Sequence, residues 1–406
     1  MPPVFPNLAR GEFPGDGILI VDKPSGVTSH DVVSALRRLT GTRKVGHAGT
    51  LDPLATGVLI VGVGAGTKLL TYAQGERKSY EATIRLGVTT STEDAEGEVT
   101  SVRGASGITA QSIDAALGTM VGTIRQVPSA VSAIKVQGKR AYQRVRDGEH
   151  VELPARSVTI YSALRREQPR AGVQRADSCS VPILDVDVTV ECSAGTYIRA
   201  FARDLGSALG CGGYVTSLRR TCIGSFGLDE AFRLEDLSER VSAGDLVPVA
   251  PMARSAQRLV PTIRVNSGQA RSLSFGRSIR MERHTVRPLA RDTSPQDSEG
   301  HDTDTSAVAA AIYGDVLVAL VVLHSDRWQP RTVFARPQDF PYAGDEIQSD
   351  RSVQQGQDRR LECDAHQRDA QAPSASDRSS AALPVASPSA STTGKNMPHV
   401  ERIVRS

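Results

Sequence analysis

The clearest pattern along the chain is the near-continuous apolar run GVLIVGVG at 57–64, which predicts a strand buried on both faces. Before it, GILIVDKPSGVTSHDVVSALRRLTG at 17–41 reads as a strand, a turn and an amphipathic helix. Val32, Val33, Leu36 and Leu39 share one face of that helix, with Ser29 as its cap and Gly41 as its stop. After the apolar run, a short helix is predicted near 67–74. In KSYEATIRLGV, Tyr80, Ala82, Ile84 and Leu86 alternate with polar neighbours as a half-buried strand requires. The polar TTSTEDAEGEV reads as a loop. A capped helix at 109–120, a strand at 131–136, a basic helix at 139–147 and a strand at 183–192 continue the series. The irregular interleaving predicts an α+β fold around a mostly antiparallel mixed sheet.

Near residue 251 the texture changes to short strands and turns, including a strand at 312–322, broken by the polar insert RDTSPQDSEGHDTDTS at 291–306. Beyond Phe340 the chain is rich in Ser, Ala, Asp, Gln, Arg and Pro, too poor in apolar groups to fold by itself. The predicted organisation is a flexible lead (1–16), a main domain (17–250), a small β-rich domain (251–340) and a disordered tail (341–406).

Composition narrows the function classes. A net charge of +3 with 23% charged residues means that any nucleic-acid surface must come from local clustering. The five cysteines, Cys179, Cys192, Cys211, Cys222 and Cys363, form no CxxC pair, which argues against a disulfide framework or a zinc site and for reduced thiols in the cytoplasm. The start of the chain lacks a basic region followed by an apolar core, and no stretch approaches the roughly 20 apolar residues of a membrane span. Neither export nor membrane insertion is expected.

The candidate chemistry centres on GHAGTLDPLATGVL at 46–59, where a lone carboxylate, Asp52, lies between a glycine-rich turn and a proline. Pro53 biases Asp52 toward an extended conformation, so the acid sits on a defined loop mounted on the buried strand. By itself an Asp-Pro pair also reads as an ordinary Asx turn. The whole stretch, however, resembles almost letter for letter the catalytic loop of the bacterial tRNA pseudouridine synthases that modify the T-loop uridine at tRNA position 55. The resemblance runs from Gly17 to Val247, with a weaker echo beyond.

The resemblance implies a pseudouridine synthase fold with a small PUA-like RNA-binding domain, and it assigns roles by position. Asp52 is the nucleophile. Tyr80 lies against the target base and takes part in proton transfer, and stacking on such a ring contributes roughly 1–3 kcal/mol. Read alone, Tyr80 is a core residue. Arg199, in CSAGTYIRAFARDLG, is the expected partner of Asp52, because a guanidinium beside a carboxylate keeps it ionised and oriented in a water-poor pocket. His47, Tyr197 and Leu218 shape the uracil site. Lys23 and Pro24 are structural. The basic stretch at 124–148 is expected beside RNA through Lys135, Lys139, Arg140 and Arg144, and Arg219 and Arg220 are candidates for phosphate contacts.

The expected reaction flips a T-loop uridine out of its stack and isomerises it to pseudouridine, with Asp52 attacking at C6 or C1′. No cofactor and no metal are implied. The expected partner is the T-arm of tRNA, with no membrane and no obligatory protein partner for what should be a monomer. Alternatives from the residues are a guide-RNA-dependent rRNA modifier, a tRNA-folding chaperone, and an aspartyl-nucleophile hydrolase, for which the motif supplies neither a second acid nor a metal.

Overall fold

The computed structural model describes residue 5 and residues 7–129, 135–136, 139–140, 153–176, 179–281, 286–287 and 308–340. Its strands are β1 (Gly17–Lys23), β2 (Val45–Ala48), β3 (Thr56–Val63), β4 (Lys78–Leu86), β5 (Val88–Thr90), β6 (Val99–Val102), β7 (Gly122–Gln126), β8 (Lys135–Val136) and β9 (Lys139–Arg140). They continue with β10 (Arg156–Arg165), β11 (Arg170–Ala176), β12 (Cys179–Cys192), β13 (Gly213–Ile223), β14 (Phe226–Gly227) and β15 (Ala250–Pro251). The last six are β16 (Thr262–Arg264), β17 (Ile279–Arg280), β18 (Val286–Arg287), β19 (Val308–Tyr313), β20 (Val316–His324) and β21 (Arg327–Val333). The described helices are α1 (Ser29–Leu39), α2 (Leu70–Gln74), α3 (Ala110–Thr119), α4 (Ile198–Ala208), α5 (Leu234–Ser242), α6 (Met252–Gln257) and α7 (Ser267–Ser274).

Eleven strands form the main sheet, in the order β15-β1-β3-β13-β4-β12-β10-β7, with β2 on β3, β14 on β13 and β11 on β12. The fold is the expected α+β arrangement. Among the described strand pairs of this sheet all are antiparallel except one, the two-residue parallel contact Arg219↔Thr56 and Arg220↔Gly57 between β13 and β3. That contact welds the two halves of the sheet directly beside the Asp52 loop. Gly57 makes it possible: its φ is +99°, and a Cβ there would stand 2.1 Å from the Arg220 carbonyl oxygen.

The apolar run at 57–64 is buried on both faces because two cores meet on it. Leu59 and Val61 pack with Val32, Leu36 and Leu39 of α1 and Leu234 and Leu237 of α5. Val58 and Ile60 face the opposite way, into a core built with Leu69, Leu70, Ala256 and residues of β19 and β20. A third core lies under the other half-sheet, where Tyr80, Ala82, Ile84 and Leu86 alternate as predicted and meet Ile198, Phe201, Ala202 and Leu205 of α4. This spacing of i, i+3, i+4 and i+7 gives α4 its buried stripe.

Several local expectations are corrected. The cap of α1 is Thr28, whose hydroxyl accepts from the Asp31 N–H while Asp31 reaches back to the Thr28 N–H. Ser29 is buried and serves the Asp52 loop instead. Lys139 and Arg140 lie in a strand paired with Lys135–Val136, so no helix starts at 139; the rest of that expected helix lies outside the described residues. The strand expected at 312–322 is a hairpin turning at Gly314, φ +56°.

Strands β16 to β21 make a six-stranded sheet in the order β17-β21-β20-β19-β16-β18. Val308, Ala310, Leu317 and Leu320 of this sheet share a core with Ile18 and Ile20 of β1, so the two sheets close on common apolar contacts. The insert at 291–306 and the expected disordered tail lie outside the described residues. No described helix is long and apolar enough to cross a membrane.

Candidate active site

Asp52 sits in the connection between β2 and β3, and the segment after β1 holds that connection from beneath. Lys23 is fully buried, and its Nζ donates to the carbonyls of Ala55 at 2.7 Å, Pro24 at 2.9 Å and Pro53 at 3.2 Å. Ser29 clamps Leu51 reciprocally: its Oγ donates to the Leu51 carbonyl at 3.1 Å and accepts from the Leu51 N–H at 2.9 Å. The Ser25 hydroxyl donates to the Leu54 carbonyl, and the Gly26 N–H to that of Pro53. The DKPSGVTSH stretch is therefore a brace for the acid. Burial lowers the Lys23 ammonium to a pKa of about 8.

The expected pairing is present. Arg199, the second residue of α4, places Nε 2.9 Å from Asp52 Oδ2, with the arginine side chain 5% exposed and the aspartate 39%. Its Nη1 lies 3.3 Å from Asp94 Oδ2, and it donates to the Thr92 carbonyl at 3.0 Å. One buried guanidinium thus joins a solvent-facing carboxylate to a buried one. Asp94 belongs to none of the sequence motifs above. It lies in the polar loop after β5, its side chain 3% exposed, accepting from the Thr92 hydroxyl and from the Glu96 N–H at 3.0 Å. The loop is held open in an unusual shape: Glu93 has φ +62°, stabilised by a 2.7 Å ion pair with Arg203 of α4. Glu96, at the rim, has its carboxyl pushed up by partial desolvation and by the neighbouring charges of Asp94 and Asp52.

Tyr80 is buried on β4 in the core that contains Leu51, Ala55 and Leu218. Burial raises its phenol, while the nearby Arg220 guanidinium opposes that shift, so the resting hydroxyl is protonated. Leu218 stands opposite Ala82 on β13 in the same core. His47, on β2, is half-buried. Its imidazole is lowered by burial and then by Arg220 and His30, so it is neutral at physiological pH, and its Nδ1 has no hydrogen-bond partner among the described residues. Tyr197 forms the N-terminal boundary of α4, with its backbone held by the Gln126 amide.

The remaining expected RNA contacts fare differently. Arg220 is 1% exposed, with Nε donating to the Val58 carbonyl and Nη2 to that of Gly49, both at 2.8 Å; it is a buried support under the site, out of reach of a phosphate. Arg219 points to the other face, and its guanidinium is already engaged by both oxygens of Asp22 at 2.7 and 3.0 Å. Lys135, Lys139 and Arg140 are described through their backbone only, and Arg144 lies outside the described residues. Among the described residues no group of His, Cys, Asp and Glu side chains has the arrangement of a metal site. Cys192, buried, is a free thiol raised to a pKa of about 11 by desolvation, which makes it unreactive.

Comparison with known proteins shows the family of the chain. The model of the TruB family pseudouridylate synthase N-terminal domain matches residues 37–198, and that of the tRNA pseudouridylate synthase B C-terminal domain matches 199–246. The tRNA pseudouridine synthase B of Arthrobacter sp. (strain FB24) is 50% identical over 329 residues, covering 80% of this chain and 98% of that protein. The protein of the same name from Streptomyces griseus is 51% identical over 275 residues, 68% of this chain and 89% of that one. Among solved structures, a Cbf5-Nop10-Gar1 complex contains a chain with a TM-score of 0.56 at 23% identity, covering 80% of this chain and 87% of that one, a likeness of fold alone. The matched family models join at the first turn of α4, between Ile198 and Arg199, and the chain belongs to the TruB family of pseudouridylate synthases.

Proposed function

We propose that this chain isomerises a T-loop uridine of tRNA to pseudouridine, with Asp52 as the nucleophile. The observation that carries the reading is the 2.9 Å contact between a carboxylate still open to solvent and the buried Arg199, on a loop braced from below by Lys23 and Ser29. The name of the relatives, tRNA pseudouridine synthase B, supports tRNA as the substrate.

The chemistry is internally balanced. The N1–C1′ bond of the uridine breaks, the uracil turns, and a C5–C1′ bond forms; C5 loses a proton and N1 gains one. Substrate and product are isomers, so the reaction calls for no cofactor. Asp52 enters either at C6 of the base or at C1′ of the ribose. Arg199 orients it, and pre-oriented opposite charge of this kind lowers barriers because no reorganisation is needed during reaction. Tyr80 offers an aromatic face for the extruded base and a protonated hydroxyl for proton transfer, and His47, Tyr197 and Leu218 complete the uracil pocket. The enzyme acts on the T-arm alone, as a cytoplasmic monomer.

The test is tritium release from a T-arm RNA hairpin labelled at uridine C5, with purified full-length protein. Wild type should release label without added guide RNA or protein; Asp52→Asn should bind the hairpin and release none. Release by Asp52→Asn, or release only with an added guide, would overturn the proposal.

A further inference from the structure

The position of Arg199 depends on where α4 begins, and α4 has no side-chain cap of its own. Tyr197 precedes it in an extended conformation, φ −105° and ψ 109°. The side chain of Gln126, at the end of β7, grips that residue at both backbone groups. Its Oε1 accepts from the Tyr197 N–H at 2.8 Å, and its Nε2 donates to the Tyr197 carbonyl at 3.2 Å. The same carbonyl accepts from the Phe201 N–H, closing the first turn of the helix. Gln126 is 1% exposed. A primary amide buried this fully is held by its two hydrogen bonds, because an unpaired one costs free energy.

Two further ties join the same short segment to the charged network. Arg203 Nη2 donates to the Val127 carbonyl at 2.8 Å, and the buried Ser129 hydroxyl donates at 3.5 Å to the Thr92 carbonyl, which also accepts from Arg199 Nη1. Residues 126–129 therefore touch α4 just before Arg199, touch it again at Arg203, and touch the acceptor that Arg199 uses beside Asp94.

We propose that Gln126 is a positioning residue: by pairing with the Tyr197 backbone it fixes the direction of the first turn of α4 and so sets the Arg199 guanidinium on Asp52. This rests on the function proposed above. Alanine removes both hydrogen bonds. Glutamate is informative because its protonated carboxyl reproduces the amide pattern, one donor and one acceptor, whereas its ionised form cannot donate to the Tyr197 carbonyl.

The experiment uses full-length Gln126→Ala and Gln126→Glu with the C5-tritiated T-arm hairpin, measuring the single-turnover rate and the hairpin dissociation constant separately. The alanine variant should lose about 10- to 100-fold in rate, with a dissociation constant within about twofold of wild type. The glutamate variant should be slow at mildly alkaline pH and recover relative to wild type as the solution is acidified, a profile that a merely structural defect would not produce. An alanine variant at the wild-type rate, or a glutamate variant without that recovery, overturns the assignment. A second readout is independent of activity. The Arg199 Nε–H resonance of isotopically labelled protein, identified by its loss in Arg199→Lys, should be displaced in Gln126→Ala, and an unmoved resonance also overturns the assignment. A displaced resonance in a protein that releases no label even as wild type would sink the proposed reaction and leave the positioning role standing.

Discussion

On the sheet face turned away from the core, arginines and acids form a lattice of half-buried to exposed pairs. Arg85 lies 2.8 Å from Asp185, Arg166 lies 2.9 Å from Glu81, Arg77 lies 3.7 Å from Glu191, and Arg170 pairs with Asp187. On the core side a single guanidinium, Arg199, is shared between Asp52 and Asp94. The distances are similar and the consequences are not. Water screens the most open of the outer pairs, Arg166 with Glu81, which contributes about 0–1 kcal/mol. The inner arginine has lost its hydration, and removing it would leave Asp94 buried and uncompensated. Bond length alone says little about what an ion pair does; burial decides it.

The comparison is most severely tested at the acid itself. Asp52→Asn keeps the shape and removes the charge, and label release should fall by roughly 10⁴-fold or more, to background, with hairpin binding retained. Next in size, Arg199→Met should lower unfolding free energy by roughly 3–5 kcal/mol in denaturant titrations, whereas Arg166→Ala on the outer face should cost no more than about 1 kcal/mol. Equal losses would erase the distinction between the two faces.

A pH titration sharpens the point, because Lys23 gives stability and activity opposite slopes. Its folded-state pKa is about 8 against 10.5 for an ordinary lysine, so between those values the unfolded chain holds more protons than the folded one. The contribution of Lys23 to stability therefore rises with pH across that window. Activity should do the reverse, declining with a midpoint near about 8, because the neutral amine has one hydrogen fewer for the three carbonyls that hold the Asp52 loop. Parallel slopes in the rate profile and the unfolding titration would refute this account. The smallest effect is ionic: in double-mutant cycles, raising salt to about 1 M should abolish the Arg166–Glu81 coupling and leave the Arg199–Asp94 coupling largely in place.

These contrasts also explain what could be read from the chain directly. The Asp52 loop was legible because its glycines, its proline and the apolar run after it carry local information, and Arg199 only because CSAGTYIRAFARDLG resembles a family motif. Asp94 was not, because it is one of four acids in ten residues, Glu93, Asp94, Glu96 and Glu98, and only the packing of their loop against α4 buries one of them. Arg219 and Arg220, both expected at phosphates, are separated by the strand. Neighbours on a strand face opposite ways, so one had to turn inward, and it is Arg220 that supports Tyr80 from below. Gln126 carries no sequence signal, since its partner is a backbone 71 positions away.

The weld between the two half-sheets sets how this protein can vary. At Gly57 a single methyl group would collide with the Arg220 carbonyl at 2.1 Å and pry apart the parallel contact between β3 and β13, a few residues from Asp52. In a saturation library that position should accept no replacement, while the outer lattice a few strands away tolerates wholesale redrawing. Heritable change in this enzyme is thereby steered outward, onto surfaces where new charges can be tried without disturbing the chemistry.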